Sequence, residues 1–390
     1  MASNVKGAAS KKKKTQKITV ASTAESLATQ EKLNEGKTEN RQEEKLEKFT
    51  KYYKEIELVP EGEWKAFFKS MTDPPPVSFR LVESYRLLAS HIDTVPGVPS
   101  QARVLARYLH TKFVDVVNQM TVGNKTPVNL APLPWYPKEL GWCVNIAKED
   151  IDKYLRLKEF DNFLKTEKMQ NTMQRLETWS MFPPTLLDIK PQHVVLDMCA
   201  APGFMASQIL EMMNAEPLQS QNGVLVLNDL FKANDKMHYQ WTQGSKVVYT
   251  FFDARNYPDY YFNDKKTYQS EIKYDRVICD VRCSCDGTMR KNTGIQEQWN
   301  FKSALGFHEE QKAILKRALE VVKVKGRVLY STTSLNPVEN EAVIAAVLQE
   351  TQGSVLLMDC SQLTKNITVR PGMKCWKVFH GPQNRESRST

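Results

Sequence analysis

The carboxyl-terminal half of the sequence predicts an α/β fold built on a doubly wound, mostly parallel sheet. Three observations carry this expectation. Five apolar runs of strand length follow His193: HVVLDM, GVLVLND, KVVYTFFDA, YDRVICDV and GRVLYSTT. Helical segments separate most of them, notably Glu309 to Val322. Four of the runs close on an aspartate, at Asp197, Asp229, Asp253 and Asp280. Alternating strands and helices imply right-handed parallel crossovers, and ligands in such sheets sit beyond the carboxyl ends of the strands. No internal repeat is visible.

The preceding elements read differently. Residues 1–45 are rich in Lys, Glu, Ser, Thr and Gln and nearly free of aromatics, so they are expected to be a disordered polar tail. The run Lys11 to Lys14 suits a nuclear address, a phosphate-binding arm or a plain solvated face. From Phe49, FTKYYKEIELVPEGEWKAFFKSM mixes helix periodicity with a turn at Pro60 to Gly62. DPPP breaks the chain, and VSFRLV (Val77 to Val82) is expected to be a strand. LAPLPWYPKELGW (Leu130 to Trp142) reads as an irregular bridge between domains, with Trp135 and Tyr136 suited to packing or base stacking. LRLKEFDNFLKTEK is helical and basic. The expected division is a tail (1–45), an α+β region (46–130), a helical connector (131–190), the α/β domain (191–380) and a disordered end (381–390).

Composition narrows the functional classes. The chain of 390 residues carries a net charge of +9, which favours an acidic partner such as nucleic acid. Seven cysteines without paired spacing argue against a secreted disulfide scaffold, and the polar start holds no signal-like apolar stretch. The expectation is a reducing compartment, nucleus or cytoplasm, with no membrane span.

The first strand is followed by Cys199-Ala200-Ala201-Pro202-Gly203, small residues that let backbone approach a ligand, and then by a helix whose first N–H groups are unpaired. It is not the dinucleotide G-x-G-x-x-G pattern. Asp229, about thirty residues on, is placed to bind ribose hydroxyls. Asp253, at the next strand end, is placed to meet an adenine amino group. One acid per strand end in this order is how a class I, Rossmann-like methyltransferase holds S-adenosylmethionine.

LDMCAAPG, NDL, YDRVICDVRCSCDGTMRKN and YSTTSLNPVENEAVIAAVL resemble the Sun-type RNA cytosine-5 methyltransferases, most closely the eukaryotic tRNA-modifying branch. The resemblance extends upstream to YYKEIELVPEGEWKAFF, LPWYPKELGW and PPTLLDIKP. It implies an S-adenosylmethionine-dependent enzyme making 5-methylcytosine in tRNA, with residues 46–130 binding RNA. Arg290 and Lys291 would contact the substrate, and Asp280 would hydrogen-bond the cytosine edge. No metal is expected, because Cys283-x-Cys285 has no matching cysteine pair at a usable spacing.

The family chemistry adds a thiolate to cytosine carbon 6, and the resemblance implies two cysteines for it. This chain departs at both. The nucleophile's position holds Thr333, a far weaker acid than a thiol, expected to hydrogen-bond nearby backbone instead. The Pro-Cys pair reads Arg282-Cys283, and Cys285 stands where relatives have Gly. Met205 replaces a lysine that would contact the target nucleotide, and Phe231 and Asn234 replace polar family residues after Asp229. Two expectations follow. The chain binds RNA with impaired catalysis, or it is active through Cys283, its pKa lowered by Arg282. In the loop after the last strand, Asn336 is expected to cap a helix, with Pro337 in its first turn and Glu339 three residues on.

Overall fold

The computed structural model describes residues 47–83, 100–123, 126–214, 222–230, 246–263, 269–292 and 294–378. The tails expected at 1–45 and 381–390, the Lys11 to Lys14 run, Phe231 and Asn234 lie outside these residues.

The amino-terminal part is α+β. Residues 47–55 are helical, and after the Pro60 turn comes α1 (Trp64–Thr72). Four strands then form an antiparallel sheet: β1 (Val77–Leu81), β2 (Leu130–Pro132), β3 (Gly141–Val144) and β4 (Met173–Arg175), in the order β2-β3-β1-β4. The helices α2 (Gln101–Leu109) and α3 (Lys158–Met169) contribute Ala102, Leu109, Phe160 and Leu164 to the core beside this sheet. Leu130 to Trp142 is therefore not a bridge. Its two ends are strands paired with each other and, through β3, with β1, and Trp142 is fully buried. The prolines that suggested irregularity occupy an edge strand and its turn, where a missing N–H costs no ladder bond.

The second part is the expected parallel sheet. Its strands are β5 (Val194–Asp197), β6 (Val224–Asn228), β7 (Val247–Thr250), β8 (Tyr274–Asp280) and β9 (Val322–Ser331), in the order β9-β8-β5-β6-β7 with every neighbouring pair parallel. Side chains alternate across it, as a pleat with period two demands. Val195, Leu225, Leu227 and Ile278 pack with Ile209, Leu210 and Met213 of α4 (Phe204–Met213). Leu196, Val226, Val277 and Cys279 pack on the other face with Ile314, Ala318 and Val321 of α5 (Phe301–Val321). The sheet is thus wound on both sides. Helix α5 starts at Phe301, not Glu309, because Asn300 caps it by accepting Lys302 N–H at 3.0 Å.

The last helix, α6 (Glu341–Glu350), begins later than expected. Asn336 caps only a turn, its Oδ1 accepting Val338 N–H at 3.0 Å. Glu339 does not reach back to it, being drawn into the loop network described below.

The two parts are joined by a buried cation. Arg80, in the middle of β1, has no exposed surface. Its guanidinium donates to Glu211 Oε1 at 2.7 Å, to Gln174 Oε1 at 2.8 Å and to the Ser207 hydroxyl. Two of these partners lie on α4, so the antiparallel sheet is pinned to the helix that follows the Gly203 loop.

Candidate active site

The acids expected at the strand ends converge. Asp197 is buried, and its pKa is pushed up to about 8 by burial first, then by the nearby charges of Asp280 and Asp229. Asp280, one strand over, is also raised by burial, while the Ser331 hydroxyl donates to its Oδ1 at 2.7 Å and opposes the rise. Asp229 lies just past β6, and its Oδ2 accepts Ala201 N–H at 2.9 Å. Three carboxylates held this close favour a cationic ligand over another anion.

The loop from Cys199 to Gly203 lies over these ends. Cys199 N–H donates to Asp197 Oδ1 at 3.3 Å, and Ala200 N–H to the Asn228 carbonyl at 2.8 Å. Pro202 is exposed and Gly203 buried. Gly203 has φ of 97°, a left-handed conformation that a Cβ would strain, and it forms the N-cap of α4. Burial first, then the neighbouring thiol and acids, raises the Cys199 pKa, so this thiol is inert packing.

Sequence reasoning missed Asn228. This fully buried amide donates to the Met198 and Phe252 carbonyls at 3.1 and 2.9 Å. Its oxygen accepts Phe252 N–H and the Thr250 hydroxyl, each at 3.0 Å. One side chain thereby staples three strand ends. A buried polar residue closing an apolar strand was the available signal. Asp253 sits where expected along the chain, but Arg255 grips its carboxylate through Nε and Nη2, the former at 3.0 Å to each oxygen. That bond lowers the Asp253 pKa, and an adenine amino group would share the carboxylate with this arginine.

The residues fit S-adenosylmethionine. The clustered acids suit its sulfonium and ammonium charges, Asp229 is a ribose acceptor, and the left-handed Gly203 permits close backbone approach.

Past β8 the chain forms the second half of the site. The Cys283 thiol stands 3.6 Å from the Cys285 sulfur and 3.3 Å from the Thr333 hydroxyl. Thr333 therefore bonds the thiol and not the backbone through its side chain; Thr332 does the backbone work, its hydroxyl accepting Ser334 N–H at 3.0 Å. Gly287 N–H donates to the Thr333 carbonyl at 3.0 Å, and a Cβ on Gly287 would lie 2.6 Å from that oxygen.

Arg282 does not act on the thiol. Its guanidinium pairs with Glu310 at 2.8 Å on the surface and lies over the Phe307 ring. Contrary to expectation, the Cys283 pKa is raised, by the bond with Cys285 first and then by burial. The Cys285 pKa is pushed down to about 6, chiefly by the same bond, with burial opposing.

Two buried acids hold these loops. Glu339, with no exposed surface, accepts Ser284 N–H at 2.8 Å, the Ser284 and Ser334 hydroxyls at 2.5 Å each, and the Gln311 amide at 3.2 Å. Asp286 accepts Leu335 N–H at 2.8 Å, the Trp299 indole at 3.3 Å and the Tyr53 hydroxyl. Tyr52 donates to Asn336 Oδ1 at 3.2 Å, so the 47–55 helix backs the loop directly.

Of the two basic residues expected to contact substrate, one is engaged with backbone and one is exposed. Arg290 donates to the carbonyls of Asp73 and Pro74, at 3.3 and 3.1 Å, and bolts that segment in place. Lys291 is exposed, 3.5 Å from Glu177. Met205 packs into the apolar cluster under the sheet. Tyr136 and Trp135 pack against the amino-terminal core, Trp135 edge-on to Phe182. Among the described residues no group of three or more His, Cys, Asp or Glu is arranged to hold a metal, and no helix is long and apolar enough to cross a membrane.

A five-stranded parallel sheet with acids gathered at its carboxyl edge and a small-residue loop over them defines a class I methyltransferase. The chain belongs to the RsmB/F methyltransferase family: the model described as 16S rRNA methyltransferase RsmB/F matches residues 184–381, about half of the chain. Methyltransferases of this family depend on S-adenosylmethionine, as the sequence implied.

Among similar proteins, the multisite-specific tRNA:(cytosine-C(5))-methyltransferase of Saccharomyces cerevisiae is 33% identical over 85% of this chain and 47% of its own length. The tRNA (cytosine(34)-C(5))-methyltransferase of Drosophila melanogaster is 32% identical over 85% of this chain and 44% of its own. The chain thus spans about half the length of the curated relatives it matches. The solved structure of PH0851 superposes with a TM-score of 0.51 at 20% identity, covering 76% of this chain and 55% of that one, which supports the fold.

Proposed function

We propose that this chain binds tRNA and S-adenosylmethionine and is impaired in methyl transfer by the two-cysteine route. The observation that carries the reading is the Thr333 hydroxyl, bonded to Cys283 where a second thiol is expected. The cofactor would supply the methyl group, held by Asp197, Asp229, Asp253 and the loop from Cys199 to Gly203. Asp280 would meet the cytosine edge, which must be single-stranded or flipped out to expose carbon 6. Lys291 and the basic residues of α3 supply phosphate contacts, whereas the Arg290 guanidinium is already engaged. Active chemistry through Cys283 is the weaker reading, because that thiol is only 7% exposed and is driven away from ionisation.

The test combines filter binding of transcribed tRNA across a salt series with transfer of radiolabelled methyl. Salt-sensitive tRNA binding, calorimetric binding of S-adenosylmethionine and little methyl incorporation are expected. Turnover at an ordinary enzymatic rate of about 1 s⁻¹ or more would overturn the impairment. Absence of tRNA binding would overturn the RNA assignment.

A further inference from the structure

We infer that Cys285, and not Cys283, is the thiol that adds to the pyrimidine ring. The inference rests on the proposed cytosine substrate. Four cysteines lie at the carboxyl edge of the sheet, and burial, hydrogen bonding and charge separate them. Cys279 is fully buried within the sheet and its pKa is pushed up by burial, then by Asp197 and Asp280. Cys199 is likewise raised. Cys283 is buried between two partners, the Cys285 sulfur at 3.6 Å and the Thr333 hydroxyl at 3.3 Å. Cys285 is the half-buried member of the pair, in a left-handed conformation with φ of 59° just before the short turn Asp286–Thr288.

The surroundings of Cys285 suit a thiolate. Cys283 stands 3.6 Å away, close enough to donate to a thiolate at Cys285, and the Thr333 hydroxyl also lowers the Cys285 pKa by hydrogen bonding. The same Cys285 sulfur lies 3.4 Å from the Cys283 carbonyl, to which it donates when protonated. Burial and the charges of Glu339 and Asp286 oppose ionisation, and the two donors outweigh them. The hydroxyl at position 333 thus serves as a donor to sulfur and leaves the attack to its neighbour.

In the addition step a lone pair on Cys285 Sγ forms the bond to carbon 6 as the C5=C6 π bond breaks. The displaced electron pair passes through the ring to N3, which takes a proton from Asp280. Turnover stays impaired because Met205 occupies the position expected of a lysine that contacts the target nucleotide.

The experiment uses the whole chain with tRNA containing 5-azacytosine and S-adenosylmethionine. A denaturation-resistant protein–RNA adduct is expected, and tandem mass spectrometry should place the nucleotide on Cys285. The variant C285S should bind the tRNA but form no adduct, and C285S/T333C should regain it, since a thiol is returned across the same gap. An adduct on Cys283, an adduct that persists in C285S, or none despite bound tRNA would overturn the inference.

An RNA-independent measurement separates this from failure of the tRNA assignment. Alkylation of Cys285 by iodoacetamide, followed by peptide mapping, should reach half its maximum at a pH below that of a free thiol, and a midpoint at or above that of a free thiol would sink the inference by itself.

Discussion

Arg80→Met tests how the two parts of the molecule are held together. The substitution keeps the length of the side chain and removes the charge. It leaves the Glu211 carboxylate, 2.7 Å from the guanidinium in the parent, without its cation, and it removes the donors to Gln174 and Ser207. Breaking a buried ion pair from one side costs about 3–5 kcal/mol. In a domain of this size each kcal/mol moves Tm by roughly 2–3 °C, so a drop of about 6–15 °C is expected at pH 7.5.

The pH dependence sharpens the test. Glu211 already titrates at about 7, raised by burial against the pull of Arg80. Loss of the cation raises it further. A carboxyl whose folded pKa lies above its unfolded value gives most stability at low pH and loses it as pH rises. The deficit of R80M should therefore shrink on going from pH 7.5 to pH 5. The double variant R80M/E211L replaces the pair with apolar volume and should recover most of the loss. Differential scanning calorimetry across this series is the assay. An R80M protein melting within about 2 °C of the parent at pH 7.5, or a double variant no better than the single, would refute the argument.

Three further outcomes are expected. Asp197→Asn removes a group whose folded pKa is about 8 against an ordinary value of 3.8, so its stability advantage should grow by roughly 1 kcal/mol per pH unit between about pH 5 and 7 and level off above about pH 8, as read by urea melts. Asp286→Ala leaves Leu335 N–H, the Trp299 indole and the Tyr53 hydroxyl without their shared acceptor and should cost about 3 kcal/mol, seen as a lower urea midpoint. Gly287→Ala forces a Cβ to within 2.6 Å of the Thr333 carbonyl, so it should displace that loop and lower the 5-azacytosine adduct while tRNA binding is kept.

The parallel sheet was legible because apolar runs of strand length can hardly be anything else between helices, and its aspartates were legible because they end those runs. What escaped is information held in partners distant in sequence. VSFRLV reads as a strand, and nothing in it says where its one charged residue goes; in the structure all five residues of β1 are buried and the Arg80 cation meets an acid 131 residues away. Asn336, Pro337 and Glu339 satisfy every local rule for a helix start, yet Glu339 answers to Ser284 and Gln311, which no local rule contains. Trp142 lay in a proline-rich stretch whose strands are set by pairing with β1, not by its own composition. The acidic cluster was partly visible, but the grip of Arg255 on Asp253 and the engagement of Arg290 with Asp73 and Pro74 depend on side-chain reach that spacing does not convey.

The bond between Tyr52 and Asn336 spans 284 positions of the chain. During synthesis the segment bearing Tyr52 and Tyr53 leaves the ribosome long before the loops it supports exist, and its aromatic face must wait exposed or be sheltered by something else. The contact that Tyr52 makes can therefore form only after residue 336 has been made. A nascent chain halted before β9 would hold the acids of its first strands and the thiols of Cys283 and Cys285, but not Thr333, Asn336 or Glu339, the groups that pack against and fix the loop carrying those thiols.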